Sequence, residues 1–154
     1  MRIVAGMDEA GYGPLLGPLV VCCWAFEVAD AQSDASDLWK RLSTAVCRRP
    51  NDKKGRIAID DSKTLKGAKD AAGHPLRHLQ RGVLCALGAL GAGDAGVPIH
   101  ESDETLLRAL SLDAAPPLPW YAGTAASALP LCHPRDELAL TANRLRLALA
   151  HAGI

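Results

Sequence analysis

Two adjacent carboxylates, Asp8 and Glu9, lie between an apolar lead-in and a turn segment rich in glycine and proline. The lead-in, Ile3-Val4-Ala5, predicts a strand, and the apolar run over 19–26 after the turn is typical of a strand buried on both faces. The carboxylates are therefore expected at the end of a core strand. Loops on a rigid scaffold often carry function, and carboxylate oxygens suit hard divalent cations. The pair is a candidate metal-binding or catalytic site; the alternative is a solvated strand end, which is usual for a lone acidic pair.

Consecutive residues of a strand face opposite sides of its sheet. Asp8 and Glu9 can therefore reach one site only if the strand ends or kinks at Glu9. Gly11 and Gly13 make a kink possible, because glycine reaches backbone angles that other residues avoid. The glycine spacing is not that of the dinucleotide-binding fingerprint, and the prolines of the segment remove N–H donors, which argues against a nucleotide-cradling loop.

A second set of candidate residues is basic. The net charge of the whole chain is zero, yet ten of its seventeen lysines and arginines lie between Lys40 and Lys69. Only Asp52, Asp60 and Asp61 oppose them in that window, so its net charge is +7. A solvated loop flank explains most such runs, whereas a phosphate-binding surface is the functional alternative.

The acidic turn resembles the first motif of the type 2 ribonucleases H, the ribonuclease HII family. That motif reads Asp-Glu-Ala-Gly-Arg-Gly-Pro, a short gap and Gly-Pro before a Val-rich strand. Residues 8–18 follow it except at Tyr12, which stands in place of the arginine. A second family motif, Asp-Ser-Lys followed by leucine, is present as Asp61-Ser62-Lys63-Thr64-Leu65. The two motifs occur in the expected order, and the resemblance extends only to about Ala68.

The resemblance implies an α/β, ribonuclease H-like fold with antiparallel strands and flanking helices, here incomplete. It implies an endonuclease that hydrolyses the RNA strand of RNA–DNA hybrids by a two-metal mechanism, with Mg²⁺ or Mn²⁺ as cofactor. Asp8 and Glu9 would be catalytic metal ligands. The partner would be a nucleic acid, either an RNA–DNA hybrid or a duplex with an embedded ribonucleotide. Its contacts would come from Gly11, Tyr12, Gly13, Ser62 and Lys63.

Tyr12 is the main departure from the family motif. Gly11 and Gly13 would keep the close approach to the nucleic-acid backbone at the ribonucleotide, whose 2′-hydroxyl distinguishes RNA from DNA. Tyr12 retains a hydroxyl but lacks the charge and the planar fork of arginine, so affinity and ribonucleotide preference are expected to differ from the family. Ser62 and Lys63 would hold a phosphate, and beside these motifs the phosphate-binding interpretation of the basic window is favoured.

The family uses four acids, and the third and fourth have no convincing match here. Five acids of the later segments stand in loops or at helix starts: Asp94, Glu101, Asp113, Asp136 and Glu137. We therefore expect the chain to be the N-terminal portion of a longer family domain. The alternative is a nucleic-acid-binding relative that kept the scaffold and lost catalysis.

The length of 154 residues predicts a single domain. Strands are predicted over about 2–8 and 18–28, as antiparallel neighbours, and over 56–60. Helices are predicted in four places: over 37–46, from His74-Pro75 to about Leu90, a short one after Ser102, and from Pro134 to about Ala152. The second of these helices has an apolar stripe that is expected to face the core: Leu76, Leu79, Val83, Leu87 and Leu90.

The composition narrows the class of protein. The N-terminus lacks a signal-peptide pattern, and no apolar run approaches transmembrane length. The five cysteines lack metal-ligand spacing and are interpreted as buried reduced thiols, with Cys47 and Cys85 placed in helical stretches. Trp39 is expected at the edge of the core, whereas Trp120 and Tyr121 could either stack on a base or cover the core. We expect a cytoplasmic, monomeric protein without a membrane partner.

Overall fold

The computed structural model describes residues 1–9, 21–29, 38–67, 73–90, 99–110 and 127–154. These segments form two small two-stranded sheets, one antiparallel and one parallel, with helices on and beside them. The chain is therefore α/β, as predicted. No helix within these segments is long and apolar enough to cross a membrane.

The first sheet is a hairpin of β1 (Arg2–Glu9) and β2 (Val21–Val28). The two strands pair antiparallel, in a regular register from Arg2 opposite Val28 to Glu9 opposite Val21, which confirms the predicted pairing. The expected burial on both faces is wrong, because most of the hairpin is exposed. Only the Val28 end lies in the core, where the amide of Ala29 donates to the carbonyl of Gly153 at 2.9 Å.

The predicted helix over 37–46 is wrong in its second half. Helix α1 spans only Leu38–Arg41 and gives way to a turn and to strand β3 (Val46–Cys47), which pairs parallel with β4 (Ile57–Ala58). Val46 is β-branched and therefore suits an extended backbone. The hydrogen bonds between β3 and β4 satisfy backbone groups that would otherwise bond within a helix. The amide of Ile57, for example, donates to the carbonyl of Ala45 at 2.8 Å.

Helix α2 (Ser62–Leu65) follows β4, and helix α3 (Arg77–Leu90) comes next among the described elements. The buried face of α3 differs from the predicted stripe: it consists of Leu84, Cys85, Gly88 and Ala89. Three of these residues are small and permit close packing against a neighbouring helix. Val83 and Leu90 of the predicted stripe are exposed, and with Leu79 they line a cleft of about 430 Å³ that Trp24 and Phe26 border from the hairpin.

The neighbour that covers α3 is α5 (Arg135–His151), and their contact forms the main core. From α5 it contains Leu138, Ala142, Leu145 and Ala148, and from the smaller sheet Val46 and Ile57. Helix α5 starts after Pro134 and is followed by Gly153 at φ 67°, a left-handed conformation that favours glycine. Both ends match the prediction.

Helix α4 (Asp103–Ala109) is short and begins at the predicted residue. The Ser102 side chain accepts from the Thr105 amide at 3.2 Å, and the Thr105 hydroxyl accepts from the Ser102 amide at 3.2 Å. This reciprocal capping satisfies two amides at the helix start. A single antiparallel bridge joins Ser102 to Ala128.

The five cysteines are all free and differ in burial. Cys47 and Cys85 are buried as predicted, although Cys47 lies in β3 and not in a helix, and burial raises the pKa of the Cys85 thiol to about 12. Cys22 and Cys23 are exposed on β2, so the prediction of buried thiols is wrong for these two. Cys132 is partly buried.

Candidate nucleic-acid and metal site

Asp8 and Glu9 lie at the end of β1, where both side chains are exposed. The antiparallel ladder continues in register through Glu9, which stands opposite Val21. Since side chains alternate along a regular strand, the two carboxylates face opposite sides of the hairpin. β1 ends at Glu9 and the residues that follow lie outside the described segments, so the meeting of the two carboxylates at one site stays a prediction. Asp8 also accepts a hydrogen bond from the Glu9 amide, at 3.0 Å from its Oδ1.

Asp8 shares its face of the hairpin with Gly6, Cys22 and Trp24, and these residues line an open depression. Trp24 also borders the larger apolar cleft beside the helices. Asp8 therefore faces the side of the hairpin on which the body of the protein lies, and Glu9 faces away from it.

A two-metal centre needs several oxygen ligands converging on one place. Among the residues that the structure describes, no group of three or more histidines, cysteines or acids is placed to hold a metal ion. Glu101 is paired with Arg135 at 2.7 Å, and Glu137 lies 3.5 Å from Arg81. Asp94 and Asp113 lie outside the described residues. The described carboxylates therefore do not fit a two-metal centre.

The segment predicted to contact the nucleic acid around the ribonucleotide, Gly11, Tyr12 and Gly13, lies outside the described residues. Trp120 and Tyr121 lie outside them as well. The predictions for these five residues stay predictions.

Ser62 and Lys63 lie on helix α2, which is separated from the end of β4 by three residues. Asp61 caps this helix by accepting the Lys63 amide at 2.7 Å. Leu65 is buried beside Ala58, Cys47 and Leu79, and this anchors the short helix on the smaller sheet. The side chains of Ser62 and Lys63 remain exposed. The second motif is thus held in place by an apolar contact on one side and presents its polar groups to solvent on the other.

The cations of the basic window divide into two groups. Arg41 and Arg56 are partly buried and bound within the protein: Arg41 donates to the carbonyl of Ala152, and Arg56 pairs with Asp52 at 2.8 Å. The other described cations of the window are exposed, and we refer to them as the basic surface: Lys40, Arg48, Arg49, Lys53, Lys54, Lys63 and Lys66. None of them forms a salt bridge with another residue in the described segments. Lys69 lies outside those segments.

Asp52 organises the loop over 48–56 that joins β3 to β4. Its carboxylate accepts from the Arg56 side chain at 2.8 and 3.2 Å, and from the amides of Lys54 and Arg56 at 3.1 Å each. The Arg56 side chain, helped by these amides, lowers the pKa of Asp52 from 3.8 to about 2. Because the pKa is lowered on folding, the stabilisation by this carboxylate is complete above about pH 4 and is lost as the pH falls through about 2.

Trp39 is a residue of the core edge, as predicted, because its ring packs against the main core cluster. The Arg48 guanidinium lies over the ring at 4.6 Å from its centroid, in a cation–π contact. The ring of Trp39 is thus engaged by the core and by Arg48 within the protein.

Sequence reasoning missed Arg81, which lies on α3 and joins three parts of the fold. Its guanidinium donates to the carbonyls of Gly55 and Arg56 at 3.0 and 3.4 Å and to the Thr141 hydroxyl at 3.3 Å. Nothing in the local sequence marks this role, because its partners are 25, 26 and 60 residues away. The role of Asp52 had a weak signal, since the Asp52–Arg56 spacing of four residues and the preceding Pro50-Asn51 are typical of a turn with a side-chain cap.

Comparison with known proteins yields no match to a family model, a curated protein or a solved structure. The ribonuclease HII resemblance therefore stays a prediction that rests on the two motifs.

Proposed function

We propose that this chain binds nucleic acid through the basic surface, and that its substrate class is an RNA–DNA hybrid or a duplex with an embedded ribonucleotide. The observation that carries the proposal is the exposure of the second motif: Ser62 and Lys63 are exposed on helix α2, within a stretch of sequence whose other described cations, apart from Arg41 and Arg56, are exposed as well. The choice of an RNA-containing duplex rests on the motif resemblance.

The charge distribution supports a polyanionic partner. The two arginines that the fold itself uses, Arg41 and Arg56, are removed from the surface, and seven exposed cations remain. Asp60 and Asp61 are the acids of the window that remain exposed, and Asp61 is occupied as a helix cap. Cations that form no salt bridge within the protein can neutralise phosphates and release condensed counterions, which makes binding strongly dependent on salt.

We expect Lys63→Ala to weaken binding of a 20-base-pair RNA–DNA hybrid by about three- to tenfold at low salt, and similarly for different sequences. The reason is that a lysine bound to a phosphate contributes charge and no base-specific contact. The slope of log K against log salt concentration should become shallower by about 1. Fluorescence anisotropy titrations at several salt concentrations measure both quantities.

The matched control is Arg108→Ala, which removes an exposed cation from α4, where Arg108 pairs with Glu104 at 2.7 Å and lies outside the basic window. It should leave affinity and salt slope unchanged. An unchanged salt slope in the Lys63 variant would contradict the phosphate-binding role of this residue.

A second candidate function is hydrolysis of the RNA strand, with Mg²⁺ or Mn²⁺ as cofactor. It is supported by Asp8 and Glu9, which are exposed at the strand end beside the motif that resembles the catalytic turn of the family. The opposite facing of these two carboxylates favours the alternative, a binding protein without catalysis. The two candidates share the same substrate class and differ in whether product forms.

If hydrolysis occurs, we expect Asp8→Asn to lower the rate at least about a hundredfold, because a catalytic metal ligand contributes several kcal/mol to the barrier. The substrate is a DNA duplex with one ribonucleotide, incubated with Mg²⁺ and then with Mn²⁺, and product is resolved on a denaturing gel. Glu27→Gln, an exposed acid at the other end of the same hairpin, is the control and should cleave normally. Equal cleavage by the Asp8 variant and the wild type would remove Asp8 from the reaction.

A further inference from the structure

The loop over 48–56 places an acid at the centre of the basic window. Asp52 is 11 % exposed, and its carboxylate receives two hydrogen bonds from the Arg56 side chain and two from backbone amides. One of those amides belongs to Lys54, which is next to Lys53 on the exposed side of the loop. The acid therefore fixes the backbone from which two cations of the basic surface project.

The same loop is held from its other side. Arg56 donates to the carbonyl of Ser43 at 3.0 Å, and Arg81 donates to the carbonyls of Gly55 and Arg56. Gly55 has a φ of 69°, a left-handed conformation that a side chain would strain, and this lets the chain turn back into β4. The loop is thus tied to α3 and to the turn after α1, and its shape does not depend on a ligand.

The rigidity of this loop affects how much conformational entropy is lost when a ligand binds. Cations on a mobile loop must be ordered when a phosphate backbone binds, and each ordered side chain lowers the affinity. Lys53 and Lys54 are presented on a backbone that is already ordered, so less conformational entropy is lost on binding. The negative charge of Asp52 repels a polyanion. Its hydrogen bonds, however, maintain the loop geometry in which Lys53 and Lys54 would contact that polyanion.

We propose that Asp52 is a positioning residue for phosphate recognition, so that removing this negative charge from the basic window weakens the binding of nucleic acid. This inference rests on the proposed function and deepens it. Simple charge counting gives the opposite expectation, because a variant without Asp52 has one more net positive charge in the window. The two expectations can be separated by experiment.

The test compares Asp52→Ala with Asp60→Ala, using the same 20-base-pair RNA–DNA hybrid. Both variants change the net charge of the window by the same amount. Asp60 is exposed, and the hydrogen bond that its carboxylate makes is to the adjacent Asp61 amide at 2.8 Å, outside the loop. We expect Asp60→Ala to bind as tightly as the wild type or slightly more tightly. Asp52→Ala should bind about three- to tenfold more weakly, with a shallower salt slope because fewer phosphates are contacted together.

A charge-conserving variant guards against misfolding of the alanine variant. Arg56→Lys keeps the net charge, but lysine cannot reproduce the two hydrogen bonds to Asp52 together with the bond to the Ser43 carbonyl. It should also weaken binding of the hybrid. A purely structural role would lower the melting temperature of these variants and leave their salt slope at the wild-type value, which would overturn the inference.

Hydrogen exchange provides a readout that needs no nucleic acid. The amides of Lys54 and Arg56 should exchange slowly in the wild type and in Asp60→Ala, and quickly in Asp52→Ala. If the wild type binds the hybrid and the two aspartate variants have equal affinities, the inference fails and the proposed function stands. If the wild type does not bind the hybrid, both fail, whatever the exchange rates are.

Discussion

Replacing Leu138 with alanine is expected to lower the free energy of unfolding by about 2–5 kcal/mol. Leu138 is on α5 and is completely buried, at 0 % exposure, within the cluster that joins α5 to α3 and to the smaller sheet. The substitution removes buried methyl groups and leaves a cavity among Leu84, Cys85 and Ile57 that the backbone can fill only in part. Urea denaturation followed by circular dichroism measures the change.

Leu140→Ala on the same helix is the matched control. Leu140 is 74 % exposed, so its truncation removes little buried surface and should change the free energy of unfolding by less than about 0.5 kcal/mol. Equal destabilisation by both substitutions would contradict the orientation of α5 and, with it, the position of the core.

Arg81→Met is expected to lower the free energy of unfolding by about 2–4 kcal/mol. The Arg81 side chain is 16 % exposed, and its guanidinium bonds to two loop carbonyls and to Thr141. Methionine retains most of the apolar stem but cannot donate a hydrogen bond. The variant therefore leaves the Gly55 and Arg56 carbonyls without these donors. It also removes the hydrogen bonds that join the loop over 48–56 to α3.

The control for this substitution is Arg146→Met. Arg146 lies on the exposed side of α5 and its guanidinium bonds to Asn143, one turn away. Thermal unfolding should place this variant within about 0.5 kcal/mol of the wild type. If Arg81→Met unfolds at the wild-type temperature, the loop over 48–56 does not depend on this arginine. That result would contradict the role of Arg81 in holding the loop in place.

Local patterns in the sequence were sufficient to predict several elements. The apolar runs on either side of the glycine- and proline-rich segment gave the antiparallel pair β1 and β2. Helix-start signals at Ser102 and Pro134, and the glycine at 153, placed helices α4 and α5 to within a residue or two. Each of these signals acts on neighbouring backbone groups, so no knowledge of distant contacts was needed.

The errors came from contacts between residues far apart in the chain. Val46 continues a helical pattern in the sequence, but its pairing with Ile57 makes it a strand residue. The predicted apolar stripe of α3 does not form its buried face: Val83 and Leu90 are exposed, and Leu84, Cys85 and Ala89 enter the core shared with α5. A pattern of apolar residues shows that a helix is amphipathic; it does not show which of two apolar faces the partner helix will select.

In the candidate site, too, local interactions could be predicted from the sequence, whereas contacts between distant residues could not. Asp61 caps the helix after β4 through the amide of Lys63, an interaction between near neighbours of a kind that the sequence can indicate. The meeting of Asp8 and Glu9 requires the strand to end or kink at Glu9; β1 ends there, and the residues that follow lie outside the described segments. The net charge of the basic window could be counted in the sequence, but the separation of Arg41 and Arg56 from the exposed cations could be seen only in the folded protein.

The most direct test of the nucleic-acid proposal is the affinity of the wild-type chain for a 20-base-pair duplex with one ribonucleotide, measured at several salt concentrations without divalent cations. Contact of the basic surface with several phosphates predicts that log K falls linearly with log salt concentration, with a slope between about −3 and −6. Absence of binding at low salt, or binding that does not change with salt, would contradict the proposal that this surface recognises nucleic acid.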